Sequence, residues 1–166
     1  MKRGDVVFVQ GKGMLSRLIR YFDGNGLYSH VAIAISDEKV IEANYDTKVA
    51  IRDFDKEKYS IIDVPKIGLS NQQRMNIYNE ALKYIGKRYD YIQLLWYILR
   101  KAFRFGGRNR LNNPNNVICS ELVFIVLNES GVFDDLCIKN INRGTDLTPN
   151  ELYDLVKYIA KNQNKI

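Results

Sequence analysis

Two residues of this chain carry side chains that together could perform nucleophilic chemistry: Cys119, one of two cysteines, and His30, the single histidine. A thiol becomes a strong nucleophile when a neighbouring base takes its proton, and a neutral imidazole is a common base. Such a pair would attack the carbon of an acyl group. The alternative is that Cys119 is an inert thiol in an apolar helix, because free cysteines are often buried.

The sequence around Cys119 predicts that this residue lies at the beginning of a helix. In NNVICSELVFIVL, residues 115–127, an Asn-rich loop ends and an apolar helix begins within a residue or two of the cysteine. Backbone N–H groups and the helix dipole favour a thiolate at such a position. The same N–H groups can stabilise an oxyanion that forms at a substrate carbonyl. A cysteine in the middle of the helix would gain neither effect.

His30 lies in the predicted strand SHVAIAIS, on the same face as two alanines. These small residues leave room for a closely packed element, and we expect the helix that carries the cysteine to pack there. If the chain turns back through residues 36–38, Asn44 lies opposite His30 and Glu42 lies diagonally from it. Either side chain could then orient the imidazole. A register slip of one residue would remove both from that face.

The order of the predicted elements indicates strands first and helices after. The close spacing of five short strand-like segments predicts an antiparallel meander: GDVVFVQ, SHVAIAIS, KVIEANY, KVAIRDF and YSIIDVP. Helical segments follow, with capping boxes that begin at Ser70 and Thr148 and with Gly86 and Gly131 as stops. We therefore predict one α+β domain, residues 1–166, in which an antiparallel β-sheet or barrel packs against helices.

The composition limits the partners and the compartment. Lys and Arg outnumber Asp and Glu by 25 to 19, which favours anionic partners without choosing among them. We find no nucleic-acid-binding motif, which argues against that class of partner. Two cysteines and one histidine argue against a disulfide framework and a conventional zinc site, so we expect no cofactor and no metal. Because signal-peptide and membrane-spanning patterns are missing, we expect a cytoplasmic protein or one released by lysis.

Five segments in order resemble a known group of enzymes: GDVVF, YSHVAIAI, VIEANY, YDY and VICSELV. They are similar to the circularly permuted NlpC-like papain-fold cysteine hydrolases, in particular the YiiX-like branch, over roughly residues 4–153. In this branch the histidine precedes the cysteine. The resemblance implies that Cys119 is the nucleophile, His30 the base and Glu42 the orienting residue, with Asn44 as the alternative for the third role. It also implies hydrolysis or transfer at an acyl carbon through a thioester.

Two further segments bear on the substrate. The resemblance places residues 89–91 beside the cleft, so we predict that Tyr91 and Tyr89 bind substrate. Asn44 is the third residue that we predict to bind substrate. The segment WYILRKAFRFGGRNR, residues 96–110, is an apolar helix that runs into a basic loop. We favour a buried helix with a solvated loop. The alternative is a peripheral contact with an anionic membrane.

Three functions fit these observations. The first is a cysteine hydrolase whose substrate is a peptide or a small acyl compound. Peptidoglycan-type peptides are the commonest substrates in the wider superfamily, so an amide is the first expectation. The second is a lipid-directed acyltransferase, thioesterase or phospholipase-like enzyme that uses the same site. The third is a catalytically inactive binding module.

Overall fold

The computed structural model describes residues 1–44, 48–89, 116–133 and 147–162. In this part of the chain, five antiparallel strands form one sheet: β1 (Val6–Gly11), β2 (His30–Ala34), β3 (Lys39–Glu42), β4 (Ala50–Asp53) and β5 (Tyr59–Asp63). Their order across the sheet is β4-β3-β2-β1-β5. A shorter parallel pair joins β6 (Arg88–Tyr89) to β7 (Asn116–Val117).

The position of β5 corrects the predicted meander. Strands β1 to β4 follow one another across the sheet, but β5 returns to pair with β1 at the opposite edge. The reason is that the first four residues of β1, VVFV, are completely buried. A strand that is apolar on both faces is favoured in the interior of a sheet, where it has a neighbour on each side. The residues of β4 are instead alternately exposed, as suits an edge.

Four helices surround the sheet within the described residues: α1 (Met14–Phe22), α2 (Asn71–Leu82), α3 (Cys119–Glu129) and α4 (Pro149–Asn162). The capping box of α2 is formed, because the Ser70 hydroxyl accepts from the Gln73 backbone N–H and the Gln73 side chain accepts from the Ser70 backbone N–H. Thr148 and Glu151 make the same reciprocal pair at the start of α4. The α+β class is confirmed, whereas α1 was not anticipated from the sequence.

The helix that carries the cysteine packs on the face of the sheet opposite to the one expected. Leu122 of α3 belongs to the same core as Val31 and Ile33 of β2. The alanine face of β2 instead lies beside valines of β1 and β3, and these residues form a second cluster with Phe54. The large side chains of α3 match the Val and Ile face, while an aromatic ring fills the space beside the alanines. His30 is the first residue of β2, so it reaches Cys119 from the end of the sheet.

Several of the predicted features lie outside the described residues. These are Tyr91 and the apolar-basic segment 96–110, and for Tyr89 only the backbone is described. The second cysteine of the chain, Cys137, also lies outside the described residues. Among the helices that are described, none has the length and hydrophobicity that crossing a membrane requires.

Candidate active site

The pairing of β2 with β3 brings His30 and Glu42 into contact. Ile33 pairs with Ile41 and Ala34 pairs with Val40. This register places Glu42 on the His30 face of the sheet, one diagonal step away. The His30 Nε2 and Glu42 Oε2 atoms are 2.7 Å apart. That distance is typical of a hydrogen bond between an imidazole and a carboxylate.

Cys119 is the first residue of α3 and meets the other side of the imidazole. Cys119 is 6% exposed, and it lines the same cavity as His30. Because Glu42 occupies Nε2, Nδ1 is the ring nitrogen left for the sulfur. The N-cap of α3 is Ile118, whose side chain cannot accept a hydrogen bond from the first-turn N–H groups. A polar N-cap, which would compete for these donors, is therefore missing next to the sulfur.

Glu42 is buried and is held by two further polar side chains. Its Oε1 atom lies 3.3 Å from Arg52 Nε of the neighbouring strand and 3.4 Å from Asn44 Nδ2. Burial raises the pKa of Glu42, but the hydrogen bond and charge of His30, with Arg52 and Asn44, lower it by more. The net effect is a pKa below the usual value for glutamate. Glu42 is therefore the ionised partner of the imidazole.

The charges around His30 favour its protonated form. Burial lowers the pKa of the imidazole, but the charge and hydrogen bond of Cys119 and those of Glu42 raise it by more. The result is a pKa raised to about 10. The geometry therefore favours an imidazolium held between a sulfur and a carboxylate, which is the arrangement of an activated cysteine nucleophile.

A cavity of about 350 Å³ opens beside this group of residues. Its lining comes from six places: the end of β1 and the residues after it, helix α1, the start of β2, the segment after β3, the start of β5 and the start of α3. The lining residues are Gly11, Lys12, Gly13, Met14, Leu15, Ser16, Ile19, Ser29, His30, Asn44, Lys58, Tyr59 and Cys119. A substrate in this cavity would contact the sulfur and the imidazole directly.

Two serines connect the cavity wall to the strand of the histidine. Ser16 of α1 donates to Ser29 Oγ at 2.6 Å, and the Gly11 backbone N–H donates to the same oxygen at 3.1 Å. Ser29 immediately precedes His30, so α1 and the end of β1 are fixed relative to the imidazole. A Cβ atom at Gly11 would lie 3.2 Å from Ser16 Cβ, which shows how closely these segments approach.

The sequence indicated most of the polar site but not Arg52 or the wall of the cavity. Arg52 lies in a segment that was predicted to be a strand, and its register with β3 would have placed it diagonally from Glu42. The cavity wall is not predicted from the sequence because helix α1, which forms much of it, is not among the predicted helices. The signal for α1 was the spacing of Met14, Leu18 and Tyr21, which puts three apolar side chains on one face of a helix.

The described residues do not offer the donors of a metal site. Across residues 1–44, 48–89, 116–133 and 147–162, no three His, Cys, Asp or Glu side chains come together in a way that could hold a metal ion. The only histidine of the chain directs Nε2 at Glu42.

The family is decided by a match over most of the sequence. Residues 1–138 match a family model described as "Permuted papain-like amidase enzyme, YaeF/YiiX, C92 family". The chain belongs to this family. A histidine on β2 that precedes a cysteine on α3 agrees with the permuted order that the family description gives. A comparison with curated proteins gives no match.

A solved structure shows the same fold. It is described as the crystal structure of metalloprotein yiiX from Escherichia coli O157:H7, with a TM-score of 0.58 and 21% sequence identity. The alignment covers 78% of this chain but only 66% of that one, just under two thirds of its length. At this identity the likeness concerns the fold alone, and it confirms the YiiX-like permuted papain architecture.

Proposed function

We propose that the protein is a Cys119–His30–Glu42 hydrolase that cleaves an amide of a peptide, with peptidoglycan-type peptides as the first substrates to test. The observation that carries the proposal is the meeting of Cys119 and His30 at one cavity, with a carboxylate against the imidazole. The His30 Nε2 atom lies 2.7 Å from Glu42 Oε2. Membership of a family of permuted papain-like amidases supports the same chemistry.

The first half of the reaction forms a thioester. The Cys119 sulfur attacks the carbonyl carbon, and the carbonyl π electrons move to oxygen to give a tetrahedral oxyanion. When the oxyanion collapses, the C–N bond breaks and the His30 imidazolium gives its proton to the leaving amine. The backbone N–H of Cys119, in the first turn of α3, is the donor best placed to stabilise the oxyanion.

The second half releases the acid and restores the site. His30, now neutral, takes a proton from water, and the resulting hydroxide attacks the thioester carbon. The C–S bond breaks and the sulfur leaves as the thiolate beside the imidazolium. Glu42 holds the ring in one orientation and stabilises its protonated form. Glu42 is favoured over Asn44 for this role because Glu42 Oε2 lies 2.7 Å from His30 Nε2. Asn44 instead donates to the other carboxylate oxygen of Glu42, Oε1.

The test compares activity-based labelling and turnover in matched cysteine variants. We expect Cys119→Ala to abolish both without loss of folding, and Cys137→Ser to retain both. A panel of peptide-amide, ester and thioester electrophiles, compared between wild type and His30→Ala, identifies the acyl group. Turnover retained by Cys119→Ala would exclude this mechanism.

One observation favours lipid acyl groups as a second candidate substrate class. Helix α1, which lines the cavity, exposes Met14 (87%), Leu18 (43%) and Tyr21 (68%) on one face. Its only charged residues are Arg17 and Arg20. An exposed apolar face with adjacent cations is typical of helices that bind anionic membrane surfaces.

Flotation with vesicles of phosphatidylglycerol and phosphatidylcholine separates this candidate from the first. If the substrate is in a membrane, Leu18→Asn should reduce vesicle binding, whereas Ile85→Asn should not. Ile85 is a suitable control because it is also 43% exposed but lies outside α1. A protein that fails to float at low salt, or that floats equally well with Leu18→Asn, would leave the amide as the substrate.

A further inference from the structure

The two lysines at the mouth of the cavity lie side by side. The backbone N–H of Lys12 donates to the Lys58 carbonyl oxygen at 3.3 Å, so β1 and the segment before β5 present these residues next to each other. The pairing of β1 with β5 shifts register between Gln10 and Gly11, just before this point. Both lysines line the cavity, so together they attract an anion into it more strongly than either would alone.

The positive charge of these lysines is only weakly compensated. Lys12 Nζ donates to the Glu57 main-chain carbonyl oxygen at 2.7 Å, which is a neutral acceptor. Lys58 Nζ lies 3.8 Å from the Asp55 carboxylate, at the long limit of an ion pair, and both side chains are exposed. Exposed ion pairs of this kind contribute little stabilising energy, so Asp55 only weakly offsets the charge of Lys58. Of the described residues that line the cavity, none is an Asp or a Glu.

The carboxylate behind the imidazole does not neutralise the cavity either. Glu42 is buried and shares its charge between His30 and Arg52. The charge of His30 is therefore balanced within the site, and the two lysines supply the excess positive charge among the described residues that line the cavity. A cleft lined by one sign of charge attracts ligands of the other sign.

We propose that Lys12 and Lys58 bind an oxyanionic group of the substrate, a carboxylate or a phosphate, and so select acyl substrates that carry negative charge close to the scissile carbonyl. This selection rests on the proposed function, because it assigns the substrate class of the same site. It adds a specificity-determining pair that makes no contact with the Glu42 side of the imidazole.

The test uses two alkylating reagents of nearly the same shape and different charge. In a Cys137→Ser background, Cys119 is the only thiol of the chain. The rate constants for its alkylation by iodoacetate and by iodoacetamide are measured at low ionic strength. We expect Lys12→Gln and Lys58→Gln each to lower the ratio of the iodoacetate to the iodoacetamide rate constant by about 3- to 10-fold, as the removal of one nearby charge predicts. Added salt should lower the ratio in the parent protein.

Lys56→Gln is the matched control. Lys56 is an exposed lysine of the same short 3-10 helix as Lys58, residues 56–58, but it does not line the cavity. The ratio should be unchanged in this variant. If Lys12→Gln and Lys58→Gln behave like Lys56→Gln, anion selection is wrong. A sluggish reaction with iodoacetamide would instead count against the activated nucleophile, and the ratio would still measure the effect of the lysines.

Protection experiments separate the two sources of an oxyanion. Sodium acetate and inorganic phosphate are compared with sodium chloride at equal ionic strength as protectants of Cys119 against iodoacetamide. Protection by acetate indicates a carboxylate site and protection by phosphate a phosphate site. Either protection should disappear in the Lys12→Gln/Lys58→Gln double variant. Protection that survives in the double variant would contradict the proposal.

Discussion

Replacement of Glu42 by glutamine should lower the pKa of His30, and the distance between the two side chains gives the size of the effect. Glutamine keeps the shape of the side chain and removes its charge. The substitution weakens a 2.7 Å hydrogen bond to a charged group, and a bond of this kind contributes about 1.5–3 kcal/mol. One pKa unit corresponds to about 1.4 kcal/mol. We therefore expect the pKa of His30 to fall from about 10 by about 1 to 2.

The measurement is direct because the chain has one histidine. Nuclear magnetic resonance of the imidazole carbons and nitrogens, in protein without a histidine tag, follows His30 alone through a pH titration. Cys119→Ser removes the sulfur charge, so the four combinations of the two substitutions separate the contributions of Cys119 and Glu42. Glu38→Gln, in the turn that precedes β3, is the control for removal of a carboxylate elsewhere.

The same change should alter the pH dependence of turnover. The leaving amine needs a proton from the imidazolium, so activity should be lost as the pH rises through the pKa of His30. In the Glu42→Gln variant this alkaline limb should move to lower pH by the amount seen in the titration. A His30 pKa that stays the same or rises in Glu42→Gln would show that the carboxylate is not what stabilises the imidazolium.

Three further predictions concern the elements around the site, each measured by urea denaturation. In Gly26→Ala the new Cβ would lie 2.2 Å from Asn150 Nδ2, whose side chain bonds to the Tyr28 backbone at 2.8 Å, so displacement should cost about 1–3 kcal/mol. Asn150→Ala should relieve this clash. The Gly26→Ala/Asn150→Ala double variant should therefore lose less stability than the two single variants lose when their effects are added. Leu122→Ala, on the buried face of α3, should cost about 2–5 kcal/mol. Ser70→Ala should cost about 1 kcal/mol because α2 then lacks its cap.

The sequence predicted the local features of the fold because these depend on neighbouring residues. The capping residues of α2 and α4 act within three positions, and β-branched side chains mark the strands. The face of β2 that α3 covers was predicted incorrectly, because small residues next to His30 suggested space but not what would fill it. Phe54, twenty-four positions along the chain, fills that space.

The site was predictable where it depended on pairing within one hairpin and not where it depended on a missed element. The turn after β2 determines which β3 residue meets His30, and a short loop leaves few registers. The cavity depends instead on α1, a nine-residue helix between two strands. Its one sequence signal is the helical spacing of Met14, Leu18 and Tyr21, and these side chains are exposed, so they do not mark a buried face that a core would require.

The diagonal row of His30, Glu42 and Arg52 across β2, β3 and β4 has a consequence for how the enzyme can change over evolutionary time. Glu42 and Arg52 support one side of the base, His30, and all three residues come from neighbouring strands of one antiparallel sheet. The lysines at the cavity mouth come from the end of β1 and from the turn before β5. Under the proposed anion selection, substitutions of these lysines would change which acyl substrates react and leave the contacts among His30, Glu42 and Arg52 in place. Substrate range and the support of the base would then be separable traits of this fold.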